Sequence, residues 1–186
     1  MQTAEPSKST QIIDPTPPRR KHLIDVLYAL MDDKVSYAEM TGVKKRELIN
    51  LAEVGFVKLS HGRLEEAEKI FRGLSVLDHR NAYFHAMLGS IHQRLERPVE
   101  AILEYSQALE LNPHDISALV NRGEIYLRHK NYRKAAEDFK SAILHDMSGA
   151  NLWANRARSL VIAIKCSLEA DKESVLKRAR KSRSGK

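Results

Sequence analysis

Small and apolar residues recur along this chain at a fixed interval of 34 positions. One recurring position holds glycine, one holds alanine, one an aromatic residue and one leucine or alanine. The four columns are Gly55, Gly89 and Gly123; Ala67, Ala101 and Ala135; Phe71, Tyr105 and Phe139; and Leu74, Ala108 and Ala142. The apolar residues around these columns have helical spacing, so each interval predicts two antiparallel helices. Stacking of such helix pairs predicts an all-α solenoid.

A 34-residue interval with small, small, aromatic and small positions in that order is typical of the tetratricopeptide repeat (TPR). Three repeats are predicted, over 48–81, 82–115 and 116–149. We expect the glycine column to face the alanine column of the paired helix, because a larger side chain would push the two helices apart. The helix-propensity cost of each glycine is only about 1 kcal/mol relative to alanine. The aromatic column is expected to fill the space toward the next repeat.

Turns and helix ends carry their own signals in the repeats. Gly62 is expected in the turn within repeat 1, where glycine can adopt a positive φ, and Lys130 takes that place in repeat 3. Asn81 and Asp115 are predicted N-caps of the helices that follow them. Pro98 suits the first turn of the second helix in repeat 2.

The sequence before the repeats divides into two parts. Residues 1–21 are rich in proline, serine and threonine and are predicted to form a disordered arm. Residues 22–47 are predicted to be a helical region, which begins with an amphipathic helix. The apolar stripe of that helix is Leu23, Val26, Leu27 and Leu30. Ser36 and Glu39 match a capping box that starts a further helical turn, closed by Gly42.

The sequence after the repeats predicts one more helix and a tail. Residues 150–176 are predicted to form a capping helix that covers repeat 3. Its predicted apolar face is Trp153, Ala157, Leu160, Ile164 and Leu168. Residues 177–186 contain six lysines and arginines and no acid, and are predicted to form a disordered basic tail. Because this tail lacks aromatic residues for base stacking, a solubilising role is favoured over nucleic-acid binding.

The composition of the chain is typical of a protein from a reducing compartment. The net charge of +7 is concentrated at the two ends of the chain, so the repeats themselves are close to neutral. No apolar run approaches the ~20 residues of a membrane span, and the polar N-terminus has no apolar core of a secretory signal. A single cysteine, Cys166, excludes an intramolecular disulfide. We therefore expect a cytoplasmic protein without membrane insertion.

The first helix of each TPR lines the concave face, so its positions 2, 5, 9, 12 and 13 are predicted to face a ligand. These residues are Ile49, Ala52, Phe56, Leu59 and Ser60 in repeat 1; Tyr83, Ala86, Ser90, Gln93 and Arg94 in repeat 2; and Ser117, Val120, Glu124, Leu127 and Arg128 in repeat 3. The apolar strip at the repeat 1 end suits a peptide with hydrophobic anchors. Alternatively, the N-terminal helix or a second copy of the chain covers this strip.

Residue types required for other functions are missing from the positions that would carry them. TPRs that clamp the C-terminal carboxylate of heat-shock chaperones use lysine, asparagine and arginine at four such positions. Those positions hold Ala52, Phe56, Ser117 and Asn121. His85 and His92 share a helix face, but they occupy packing columns, and no HExxH motif or Cys/His cluster is present. We expect no metal, no cofactor and no enzymatic activity.

A small N-terminal helical region, three TPRs and one C-terminal helix resemble the plan of the class II chaperones of bacterial type III secretion, the SycD, LcrH and IpgC type. The run from Gly62 to Phe71, followed by Val76 to His79, is similar to their first repeat and its exit. The resemblance implies a cytoplasmic chaperone that holds an extended segment of a translocator-type client in its concave groove. Two alternatives stay open: a generic TPR scaffold in a multiprotein assembly, and a nucleic-acid-associated adaptor that uses the basic tail. Homodimerisation through the N-terminal helices is a further prediction.

Overall fold

The structure is a computed structural model that describes residues 35–166, together with residues 24–26, 28, 29, 31, 32 and 169. The chain forms two compact units, Met1–Val43 and Lys44–Lys186. The predicted arm over 1–21, the predicted tail over 177–186 and the apolar residues Leu23, Leu27, Leu30 and Leu168 lie outside the described residues.

The first unit contains a short capped helix, α1 (Tyr37–Thr41), as the sequence predicts. The Ser36 hydroxyl accepts a hydrogen bond from the Glu39 backbone N–H, and the Glu39 carboxylate accepts one from the Ser36 N–H at 2.7 Å. This reciprocal pair satisfies two backbone donors at the helix start. Gly42 closes the helix with a φ of 75°. Residues 24–26, 28, 29 and 31 are also helical, in agreement with the predicted amphipathic helix.

The second unit is a row of helix pairs, each packed against the next in chain order. Repeat 1 contributes α2 (Lys45–Ser60) and α3 (Leu64–Leu77). Repeat 2 contributes α4 (Ala82–Arg94) and α5 (Pro98–Leu111), and repeat 3 contributes α6 (Ile116–Arg128) and α7 (Tyr132–Leu144). A C-terminal helix, α8, is described over 152–166. Over the described residues the fold is therefore the predicted all-α solenoid.

The turn within each repeat uses one residue with a positive φ. That residue is Gly62 in repeat 1 (φ 76°), Glu96 in repeat 2 (φ 58°) and Lys130 in repeat 3 (φ 60°). The prediction that Lys130 replaces the turn glycine is confirmed, and Glu96 adopts the same conformation without a sequence signal. Asn81 and Asp115 cap α4 and α6 as predicted, accepting hydrogen bonds from the backbone N–H groups of Tyr83 and Ala118.

The packing partner of the glycine column differs from the prediction. A methyl group on Gly89 would lie 2.7 Å from Cδ1 of Tyr105, and one on Gly123 would lie 2.7 Å from Cε1 of Phe139. The same relation holds between Gly55 and Phe71, at 2.8 Å. The glycines therefore make room for the aromatic ring of their own repeat rather than facing the alanine column. The three aromatic rings are fully buried. In each repeat, the glycine of the first helix allows that helix to pack closely against the aromatic ring of the second helix.

Arg122 forms an ion pair within repeat 3 and a hydrogen bond to repeat 2. The Arg122 guanidinium donates two hydrogen bonds to the Asp138 carboxylate, at 2.7 and 2.9 Å, and a third to the Ser106 hydroxyl at 3.0 Å. The ion pair therefore connects α6 with α7, and the hydrogen bond to Ser106 connects α6 with α5.

The C-terminal helix α8 packs on repeat 3 and extends its core. Ala157 belongs to the buried cluster, and Leu160 and Ile164 pack against that cluster. Trp153 departs from the predicted face, because 39 % of the residue is exposed and its ring lies beside the Arg156 guanidinium at 5.9 Å. Ala154, which is fully buried, takes the place in the interface that the spacing assigned to the tryptophan.

Candidate functional site

A concave apolar groove lies between α2 and the beginning of α4. It encloses a cavity of about 650 Å³, a volume in the range of ligand-binding pockets. Three large apolar residues of α2, Ile49, Phe56 and Val57, line it with about half of their surfaces exposed. Tyr83, at the first turn of α4, faces them and is 48 % exposed. The groove therefore presents four large apolar side chains to solvent, each about half exposed.

Aromatic packing holds the floor of the groove rigid. The buried ring of Phe71 lies 6.2 Å from Tyr83 and 6.5 Å from Phe84, between ring centroids. Tyr83 and Phe84 themselves meet edge to face at 6.1 Å. Partial burial among these rings raises the pKa of the Tyr83 hydroxyl. Since Phe71 is anchored by its contact with Gly55, the repeat packing itself sets the position of the groove wall.

Polar groups sit at the rim of the groove rather than on its floor. Lys45 and Glu53 border it from α2, and Asp78 and Asn81 border it from the turn between α3 and α4. The Asn81 side chain donates to the Asp78 carboxylate at 3.3 Å and accepts from the Tyr83 backbone N–H at 3.2 Å. These bonds fix the rim turn and, through Tyr83, one wall of the groove.

The structure brings four of the predicted groove residues together in this cavity: Ile49, Ala52, Phe56 and Tyr83. Ala52 is 7 % exposed and forms part of the floor. Gln93 and Arg128 line a second, smaller cavity of about 260 Å³ beside the turns of repeats 2 and 3. Ser60, Arg94 and Arg128 are exposed, while Ala86, Ser90, Ser117 and Leu127 are half-buried.

Three predicted groove residues lie inside the protein. Leu59 is 6 % exposed, and Val120 is fully buried in the core. Glu124 is 7 % exposed, and its carboxylate accepts hydrogen bonds from Arg156 of α8, one of them at 3.0 Å. Because α8 occupies this end of the solenoid, Glu124 is engaged within the chain. We therefore leave these three residues out of the proposed contact surface.

Sequence reasoning missed the part of the groove that the turn between repeats contributes. Asp78 and Asn81 precede α4, and Phe84 lies at a repeat position that was not predicted to face a ligand. Val57 was also missed, since it follows Phe56 by one position on a helix. Its apolar side chain next to another large one on α2 is the signal that could have identified it.

The histidines predicted to be packing residues are buried in the structure. His85 and His92 are 9 % and 4 % exposed. The two ring nitrogens of His85 contact acceptors, the Glu104 carboxylate at 2.8 Å and the His79 carbonyl at 3.1 Å. Both nitrogens must donate, so the imidazolium fits this site, and the hydrogen bond to Glu104 raises the pKa of His85. Within the described part of the chain no three metal-ligating side chains cluster.

The helix pairs, their 34-residue interval and the open concave groove define a helical-repeat protein of the solenoid class. A tetratricopeptide repeat family model matches residues 57–116 and 86–151, which together cover just over half of the chain. The chain therefore belongs to the tetratricopeptide repeat family.

Solved structures of type III secretion proteins share this fold. A type III secretion complex from Aeromonas hydrophila is 28 % identical, with a TM-score of 0.72 over 78 % of this chain and 98 % of that one. PcrH in complex with the chaperone binding region of PopD is 25 % identical, with a TM-score of 0.64 over 68 % of this chain and 96 % of that one. Both similarities extend over nearly all of the matched protein.

Curated relatives fall into two kinds. The low calcium response locus protein H of Yersinia pestis is 26 % identical over 145 residues, which are 74 % of this chain and 83 % of that protein. Human tetratricopeptide repeat protein 6 is 32 % identical over 76 residues, and the chain spans only 15 % of its length. The similarity to the human protein therefore covers a small part of a much longer repeat protein, whereas the similarity to the Yersinia protein covers most of a protein of similar size. Among the described residues, no helix is both long and apolar enough to cross a membrane.

Proposed function

We propose that this protein is a cytoplasmic chaperone of a type III secretion system, and that it holds an extended segment of a translocator-type client in its concave groove. The observation that carries the proposal is the groove of Ile49, Phe56, Val57 and Tyr83, in which large apolar side chains stay about half exposed. Exposed apolar clusters of this kind mark sites of protein interaction. No catalytic role is proposed for any residue of the groove.

The shape of the groove favours an extended client over a second globular surface. Ile49 and Phe56 are seven positions apart on α2, so they lie two helical turns apart on one face. An extended segment presents alternate side chains to one side, and two such side chains could occupy the space on either side of Phe56. The polar rim of Lys45, Glu53 and Asp78 would then face the polar backbone and the outward side chains of the client.

Solved structures of similar proteins support a translocator-type client. PcrH, whose structure contains the chaperone binding region of PopD, has the same fold over 96 % of its length. A second PcrH structure, which contains the chaperone binding region of PopB, is 26 % identical to this chain. Transfer of that function to this chain rests on the shared fold together with the apolar groove. A homodimer through the N-terminal helices is kept as a proposal, to be tested by light scattering of the full chain.

Co-expression tests the proposed function. The full chain is produced together with a translocator-type protein encoded in the same genome, and the cell extract is separated by centrifugation. We expect the translocator to remain in the supernatant and to co-purify with the chain. A translocator that sediments equally with and without a folded chain would contradict the secretion-chaperone function and favour a TPR scaffold with another partner.

A further inference from the structure

Two histidines from different repeats meet at one edge of the solenoid. His114 lies in the turn between α5 and α6, and His145 follows the last residue of α7. Their Nδ1 atoms form a hydrogen bond with each other at 3.1 Å, so one ring donates and the other accepts, and the rings meet edge to face with centroids 4.5 Å apart. Both residues are exposed to solvent. Because the two histidines are 31 positions apart in sequence, no local motif identifies the pair.

The separation of the two nitrogens suits two ligands of one metal ion. Histidine nitrogens bind Zn²⁺ at about 2.0–2.1 Å, and tetrahedral coordination then places two of them roughly 3.3 Å apart. The observed distance of 3.1 Å is close to that value. Metal binding would replace the hydrogen bond between the rings: the donor imidazole would move its proton from Nδ1 to Nε2, so that the Nδ1 lone pairs of both rings bind the metal.

The electrostatic surroundings favour a cation at this edge. Helix α5 ends at Leu111 with Asn112 as its C-cap, two positions before His114, and helix α7 ends at Leu144 with His145 as its C-cap. A helix C-terminus carries about half a negative charge. Neither helix has a basic residue in its last turn, and the cationic side chain that the structure shows just after α7 is Arg158 of α8, which donates to the Asp146 carbonyl.

We propose that His114 and His145 bind one nitrogen-preferring divalent cation, of the Zn²⁺, Cu²⁺ or Ni²⁺ class, through their Nδ1 atoms. Water completes the coordination, since no third ligand from the described residues joins the pair. The metal would link the turn that leaves repeat 2 to the end of repeat 3. Because it binds only the folded arrangement, it would stabilise this end of the solenoid. The site is separate from the groove and does not depend on the proposed function.

Calorimetric titration of the full, untagged chain with ZnCl₂ tests the site. We expect one binding event per chain in the wild type, and its loss in His114→Ala and in His145→Ala. The matched control is His61→Ala, because His61 is also an exposed C-cap residue, at the end of α2, but α2 has the basic Lys58 in its last turn. His61→Ala should leave the isotherm unchanged.

The melting temperature provides a second readout that separates binding from loss of fold. Saturating Zn²⁺ should raise the melting temperature of the wild type and of His61→Ala, and should leave that of the two other variants unchanged. Circular dichroism without metal checks that all variants are folded. The same single-site isotherm in a His114→Ala/His145→Ala double variant, or no binding by the wild type, would overturn the proposal.

Discussion

The contact between Gly89 and Tyr105 predicts that two glycine-to-alanine substitutions will act in opposite directions. Gly89 lies in α4, where a Cβ atom would be 2.7–2.9 Å from three atoms of the Tyr105 ring. That ring is 1 % exposed, and its hydroxyl donates to Gln93 at 3.1 Å, so the ring is held on both sides. Gly73 lies in α3, and a Cβ atom there would have no neighbour within 4 Å.

The magnitudes follow from two opposing effects. Alanine is more favourable than glycine in a helix interior by about 1 kcal/mol, and both sites gain this amount. Only Gly89→Ala must displace a buried ring, and overpacking of a core costs about 1–3 kcal/mol. We therefore expect Gly73→Ala to raise the free energy of unfolding by up to about 1 kcal/mol. Gly89→Ala should lower it, so that the difference between the two variants is about 1–3 kcal/mol.

Urea denaturation followed by circular dichroism measures both changes. The m-values of the two variants should match that of the wild type, since neither substitution alters the surface exposed on unfolding. If Gly89→Ala stabilised the protein as much as Gly73→Ala does, the assignment of Tyr105 as the neighbour of Gly89 would be wrong. Gly123→Ala, which meets Phe139 at 2.7 Å, should behave as Gly89→Ala does.

Two further predictions concern charged side chains. The hydrogen bond to the Glu104 carboxylate raises the pKa of His85 above its ordinary value of 6.5. The stabilisation that this interaction gives the folded state is therefore complete below pH 6.5 and is lost as the pH rises through the raised pKa. Glu104→Gln should therefore lower the free energy of unfolding at pH 6, and its difference from the wild type should shrink by pH 9; a constant difference would contradict the imidazolium. Arg122→Ala leaves the 7 %-exposed Asp138 carboxylate unpaired and should cost about 3–5 kcal/mol in urea denaturation. Arg133→Ala, which breaks the exposed pair with Glu137, should cost less than about 0.5 kcal/mol, and equal costs would contradict the burial argument.

The repeat interval was sufficient to predict the helix pairs, because periodic small and aromatic positions report which faces are buried. Caps and turns were equally readable, since Ser36, Asn81 and Asp115 act on backbone groups within three positions. Lys130 was predictable only by comparison with Gly62, its counterpart one repeat interval away. Local rules and internal repetition together determine the architecture.

The pairing of glycine with the aromatic column could not be predicted from the columns alone. Periodicity shows that Gly89, Ala101 and Tyr105 are all buried, but it does not show which of two residues one helical turn apart faces the glycine. The hydrogen bond between Arg156 and Glu124 spans 32 positions and depends on how α8 packs, so repeat position alone placed Glu124 in the groove. In each case the missing information is tertiary geometry.

The central claim is that a client segment binds to the groove of repeat 1. The most direct test is to introduce one charged side chain into that groove by substitution. Phe56 is 53 % exposed, so Phe56→Glu should leave the helicity by circular dichroism unchanged while placing a charge in the apolar cavity. Leu103→Glu is the matched control, because Leu103 is an exposed apolar residue of α5 outside the cavity lining.

The measurement is the Kd of each protein for the segment of the co-purifying translocator that the wild type protects from proteolysis. We expect Phe56→Glu to raise this Kd by more than about tenfold, or ~1.4 kcal/mol, because the segment would have to bury an unpaired carboxylate. Leu103→Glu should change it by less than about twofold. Equal affinities of wild type and Phe56→Glu would show that the client binds elsewhere.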